Sequence, residues 1–240
     1  MSGPIFQRRR LKQEMFHHGI SMFSLIGRGI VTGLAAVAMG TLQSSDAFAQ
    51  NVSPCGALYT PGQYGPFDYR TATDEQKRLV EGTHFTPGIE ALRTPGTTTF
   101  GGDISYTLGA FPNHPRALLA MSNLVLKNKV AKATGARWTI DCYFERATRF
   151  QPDDPVVRLV FGLHLIRSGQ KDAARVQLGI AEEHAIEAGN FHYNLGLAFL
   201  DAGDSDRALA HAWQASALGY DLPGLRRRLE KIGKWRDPEK

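Results

Sequence analysis

The second half of this chain repeats itself every 34 residues, and that period constrains the fold more than any other feature. Gly162 and Gly196, Gly169 and Gly203, Ala174 and Ala208, and Ala181 and Ala215 all stand 34 apart. At the same offset Phe161 aligns with Leu195, and Leu165 with Phe199. A fixed period between about 20 and 50 residues marks a solenoid, whose units bury their apolar faces only against neighbouring units. Residue type then gives the unit its shape. Gly162 and Gly196 fall inside apolar helical runs, where glycine costs about 1 kcal/mol relative to alanine. The pattern therefore predicts a second helix approaching closely at those points. Gly169 and Gly203 follow the runs, where a left-handed residue ends a helix. Asp204 or Ser205 then caps the next helix, to which Ala208, Ala212 and Ala215 give a slim face. The unit reads as two short antiparallel helices joined at a glycine.

A less regular repeat comes before these two. "HPRALLAMSNLVLK", residues 114–127, reads as its first helix, and "CYFERATRFQPDDP", residues 142–155, as the end of its second. Pro115 and Pro155 suit the first position of a helix and stand 40 apart, which leaves six surplus residues. The surplus falls in "KNKVAKATGARWT", whose four cations and lack of acids predict a solvated loop. Upstream, "GGDISYTLGAFPNHP" reads as a further closing helix with Asp103 as its N-cap. Downstream, "LPGLRRRLEKIGKW" puts Leu225, Leu229 and Ile232 on one face, as a helix capping the end of a stack would. Its cations Arg226, Arg227, Arg228, Lys231 and Lys234 read as that helix's solvated side.

Both ends of the chain differ from this pattern. "GIVTGLAAVAMGTL", residues 29–42, is an uncharged run behind Arg8, Arg9, Arg10, Lys12 and Arg28, and it leads into the small-x-small site Ala47-Phe48-Ala49. At 14 residues the run is shorter than the roughly 20 a spanning helix needs, so an export signal over 1–49 is the reading, with an uncleaved membrane tether as the alternative. Met22 is a second candidate start. The chain's formal charge of +5 belongs mostly to this segment. After Ala49, 191 residues remain, with 23 Lys and Arg against 21 Asp and Glu, a net charge of +2. That balance gives no footprint for nucleic acid. Residues 50–100 form a block rich in Gly, Pro and aromatics. Pro61 and Pro66 exclude a long helix there, while Tyr59, Tyr64, Phe67 and Tyr69 need an apolar surface to pack on. Cys55 and Cys142 are a candidate disulfide in an oxidising compartment, the alternative being two separate thiols.

Residues 101–240 resemble the tetratricopeptide repeat. His192, Leu195, Gly196, Phe199 and Ala208 occupy its signature places in the last repeat, and Arg158, Phe161, Gly162, Leu165 and Ala174 in the middle one. The large first residue and the closing proline of the family are missing from both. The N-terminal block is similar to one in exported proteins of this kind, and that likeness brings no activity with it. The resemblance implies an all-α, right-handed superhelix of about three hairpins, with a C-terminal capping helix and the irregular block in front. It also implies that the first helix of each hairpin lines a concave face. Inward positions are then Val156, Leu159, Leu163, Ile166 and Arg167 in the middle repeat, and Asn190, Tyr193, Leu197, Leu200 and Asp201 in the last. Leu163 and Leu197 stand where family members that grip a terminal carboxylate carry asparagine. The groove is therefore apolar. Its expected occupant is a protein or peptide of a bacterial cell envelope, or the chain's own aromatic segment 55–70 pinned by the disulfide.

No HExxH, GxSxG, Walker loop or CxxC occurs in the chain. The six histidines after residue 49, namely His84, His114, His164, His184, His192 and His211, show no metal spacing, and no cofactor is expected. His192 reads as a packing residue, and His84 and His114 as capping donors. The first reading is a non-catalytic periplasmic scaffold. The rival is an enzyme or small-ligand receptor whose site lies between "YGPFDYR", "HFTP" and the repeats, with Asp68, Arg70 and His84 converging.

Overall fold

A computed structural model describes residues 53–238, so the expected export signal over 1–49 and the choice between Met1 and Met22 lie outside the described residues. Among the described residues there are ten α-helices and no strand. They are α1 (Asp74–His84), α2 (Pro87–Glu90), α3 (Phe100–Ala110), α4 (Pro115–Asn128), α5 (Ile140–Phe150), α6 (Pro155–Arg167), α7 (Lys171–Glu183), α8 (Gly189–Asp201), α9 (Ser205–Ala217) and α10 (Pro223–Lys231). From α2 onward, helices consecutive in the chain pack on one another, α1 packs on α3, and α4, α6 and α8 also touch in series.

The two regular hairpins, α6–α7 and α8–α9, form as the repeat requires. Gly169 and Gly203 turn the chain at φ of +80° and +88°, a region other residues enter only with strain. The Asp204 carboxylate accepts the Arg207 N–H and caps α9. A Cβ on Gly162 would sit 2.5 Å from Leu178 Cδ2 on α7, and one on Gly196 would sit 2.6 Å from Leu225 Cδ2 on α10. The two glycines thus admit different neighbours. Position 212, one period after Leu178, is an alanine, and the capping helix supplies the missing leucine. Leu225 and Leu229 of α10 are buried, but Ile232 is 53% exposed. It is the residue after the helix ends, and so leaves the shared face that the sequence pattern predicts for it.

Two further expectations are corrected in the first half. The N-cap of α3 is Thr99, which accepts the Gly102 N–H; Asp103 lies a turn further on. Its carboxylate is buried and gathers the preceding loop, accepting from Gly96 N–H at 3.0 Å and from Thr97 Oγ1 at 2.8 Å. The loop between α4 and α5 is not merely solvated. Lys129, Lys132 and Arg137 do face water, but Ala133 and Ala136 are buried against the core, and Thr99 donates to Thr134 O at 2.9 Å. Its six extra residues are spent as a wedge between α3 and α5.

Apolar burial falls into two main clusters. One joins α2 to α6 through Phe85, Ile89, Ile104, Leu118, Met121 and Phe144. The other joins α6 to α10 through Leu178, Leu195, Phe199, Leu209, Leu225 and Leu229. A small third cluster holds Val80, Ala110 and Phe111 under Tyr64, Phe67 and Tyr69.

Candidate functional site

The sequence-assigned groove positions lie along α6 and α8. Val156, Leu163 and Ile166 on α6, and Tyr193, Leu197 and Leu200 on α8, are half-buried and lean on the second cluster. Spacings of three, four and seven residues keep them on one stripe of each helix. Leu159 is withdrawn into the core, and Asn190 is exposed. The charged members bridge between helices. Arg167 donates to Asn123 Oδ1 on α4, and Asp201 accepts from Arg228 on α10. The stripe continues onto α4 through Leu119, Asn123 and Leu126, all half-buried, which the 34-residue offset does not find. The 40-residue spacing of Pro115 and Pro155 maps Leu159, Leu163 and Ile166 onto them and carries that signal. The result is a strip of half-exposed aliphatic side chains across three adjacent helices, with polar groups at its edge.

Cys55 and Cys142 form a disulfide, with their Cα atoms 5.1 Å apart. The aromatic segment beyond Cys55 does not cover the strip. Tyr64, Phe67 and Tyr69 pack on Phe111, Ala110 and Val80 instead, and the Phe67 N–H donates to Ala110 O at 2.8 Å. Phe111, just beyond α3, gives these rings an edge-to-face surface that the aliphatic strip lacks.

The rival constellation does not converge. Asp68 and Arg70 pair at 2.8 Å, and Arg70 also reaches Gln151, Asp153 and Asp154. Burial pushes the Asp68 carboxyl up, and the bonds from Arg70 and Asn113 outweigh it and leave it below the usual carboxylate range. His84 makes no hydrogen bond or ion pair with either residue; its Nδ1 lies 3.2 Å from Asp103 Oδ1, and its ring lies over Tyr106. These side chains brace the N-terminal block against α3 and the α5–α6 turn.

The buried histidines have structural partners. His114 caps α4 as an acceptor rather than a donor, because its Nδ1 receives the Ala117 N–H. The proton must then sit on Nε2, which donates to Glu81 at 3.0 Å. Burial lowers the His114 pKa to about 4 despite Glu81, so the ring is neutral at pH 7. His164 bonds Ser122 at 2.8 Å, and His192 meets His211 at 3.0 Å, between α8 and α9. Burial lowers the pKa of all three. Among the described residues no group of three or more His, Cys, Asp or Glu is placed to hold a metal, and no helix is long and apolar enough to cross a membrane. Compared with known protein families, curated proteins and solved structures, the chain has no significant match in any.

Proposed function

We propose that the chain is an exported, non-catalytic scaffold of the tetratricopeptide kind, whose hairpins wind into a right-handed superhelix. In this reading the α4–α6–α8 strip is its concave face and binds a protein or peptide partner of the cell envelope. The observation that carries the reading is the half-exposed row Val156, Leu163, Ile166, Tyr193, Leu197 and Leu200, on helices related by the 34-residue period. A continuous apolar patch with a polar edge is the usual mark of a recognition surface. It fits an amphipathic helix or an extended segment laid into a groove. The disulfide supports an oxidising compartment.

Site-specific photo-crosslinking tests the assignment. A crosslinker at Leu163 or Leu197 should capture a discrete envelope partner. The same group at Val176, 60% exposed on α7, should not. Equal capture from all three positions, or none from Leu163 and Leu197, would remove the strip as the binding face.

A further inference from the structure

We propose that the cleft between the N-terminal segment and α3–α5 is a binding site for a small ring-bearing anion, a carboxylate or phosphate ester, received by Arg137, Ser105 and Trp138. The cleft measures about 410 Å³, within the range of small-molecule pockets. It lies apart from the α4–α6–α8 strip and does not depend on the scaffold reading.

Hydrogen-bond polarity is the first argument. The Tyr143 hydroxyl oxygen accepts from the Arg137 and Trp138 N–H groups at 3.2 and 3.3 Å. Its own proton therefore goes to Ser105 Oγ, 2.6 Å away. Ser105 Oγ also accepts from the Arg137 N–H, at 3.1 Å. With its oxygen taken up, Ser105, which lines the cleft, keeps an O–H that has no acceptor among the described residues. An acceptor is what the site lacks.

Charge is the second. No Asp or Glu lines the cleft, whereas Arg137 and Arg146 both do. The exposed Arg137 guanidinium lies 5.2 Å from the Trp138 ring centroid and makes no ion pair or side-chain hydrogen bond among the described residues. Arg146 is buried, 5.5 Å from the same ring. Its donors go to Cys55 O, Ala57 O and Leu58 O at 3.0, 2.6 and 3.4 Å, so carbonyl dipoles hold it, and it makes no ion pair among the described residues, Glu145 acting on it only through space. With Arg137 and Arg149 beside it and only Glu145 opposing them, this buried cation leaves the local potential positive, which an arriving anion lowers. Arg146 thus sets the field while Arg137 and Ser105 make the contact.

Shape is the third. Trp138, Tyr106 and Tyr64 line the cleft with aromatic side chains, and Tyr106, one side of which lies against His84, is 48% exposed. A flat ring stacks on such walls while its anionic oxygens reach Arg137, a geometry that planar guanidinium favours over ammonium.

Calorimetric titration of the whole chain with phenyl phosphate, benzoate, inorganic phosphate and benzyl alcohol tests the site. We expect saturable binding of at least one ring anion, weakened by added salt, with inorganic phosphate at least about tenfold weaker and the neutral alcohol silent. Arg137→Gln should weaken the ring anion at least about tenfold, and Ser105→Ala less, with near-UV circular dichroism checking that each variant is folded. Failure of both ring anions to saturate overturns the site. So does unchanged affinity in folded Arg137→Gln. Inorganic phosphate binding as tightly as phenyl phosphate overturns the ring, and tight binding of the alcohol overturns the anion.

Discussion

Between α8 and α9 the helices meet through Gly196, Ala208 and Ala212 around one buried polar pair, His192 and His211, and the turn is made by Gly203. Between the N-terminal block and α1–α5 the buried polar set is larger: Asp103, Asn113, His114 and Arg146, each held by directed hydrogen bonds, with a disulfide as well. A hairpin inside a stack closes against another hairpin of similar shape, so small residues in register suffice. The first hairpin has no such neighbour before it. The chain closes that end with non-repeating segments whose position is fixed bond by bond, and such networks are costly when any member is removed.

The largest expected effect breaks this contrast at its covalent point. Cys55 and Cys142 are 87 residues apart, and replacing both with serine should cost about 4 kcal/mol in urea unfolding, with residues 53–70 becoming the first site of proteolysis. A loss below about 1 kcal/mol would mean that the carbonyl bonds of Arg146 alone secure the block. Next in size is a pH effect centred on His114. Its pKa is about 4 folded and about 6.5 unfolded, so the unfolded chain binds the proton first. The stability this group contributes is complete above pH 6.5 and is lost as pH falls toward 4, by about 2 kcal/mol between pH 7 and 5. Asn at position 114 keeps a capping acceptor, and His114→Asn should flatten that part of the stability–pH curve. His164, His192 and His211 carry the same sign and supply the slope that remains.

The smallest test puts one substitution in each half. A Cβ at Gly101 would lie 2.3 Å from Thr134 O, a backbone atom of the wedge loop, whereas the one at Gly162 meets the buried Leu178 side chain, at 2.5 Å from Cδ2 and 2.8 Å from Cγ. Gly101→Ala should cost about 1–3 kcal/mol by thermal unfolding. Gly162→Ala should cost less than Gly101→Ala, because a side chain can shift where a backbone carbonyl cannot and alanine's helix propensity offsets about 1 kcal/mol of the overpacking. Equal losses would show that the repeats are as rigidly keyed as the first half.

The same division explains what was legible beforehand. Gly169, Gly203 and the Asp204 cap follow from local geometry repeated at a fixed spacing, and all are found where the period places them. Two cysteines in a chain with an export-like leader sufficed for the disulfide. Asp103 was misplaced because a cap and a buried loop anchor draw on the same residue type, and only the position of Thr99 separates them. Sequence alone makes His114 a donor, because the tautomer is set by Ala117 N–H and Glu81, which come together only in the fold. The cleft had no local signature at all. Its walls come from residues 62–64, 102–109, 137–138 and 143–146, four segments with no common period.

The 87-residue span of the Cys55–Cys142 bond also imposes an order in time. A chain emerging from its N-terminus offers the first thiol long before its mate, and α3 and α4 are already out when residue 142 appears. Any fragment that stops short of that point carries a reactive sulfur with nothing to join. The two later hairpins contain no cysteine and have no such appointment to keep.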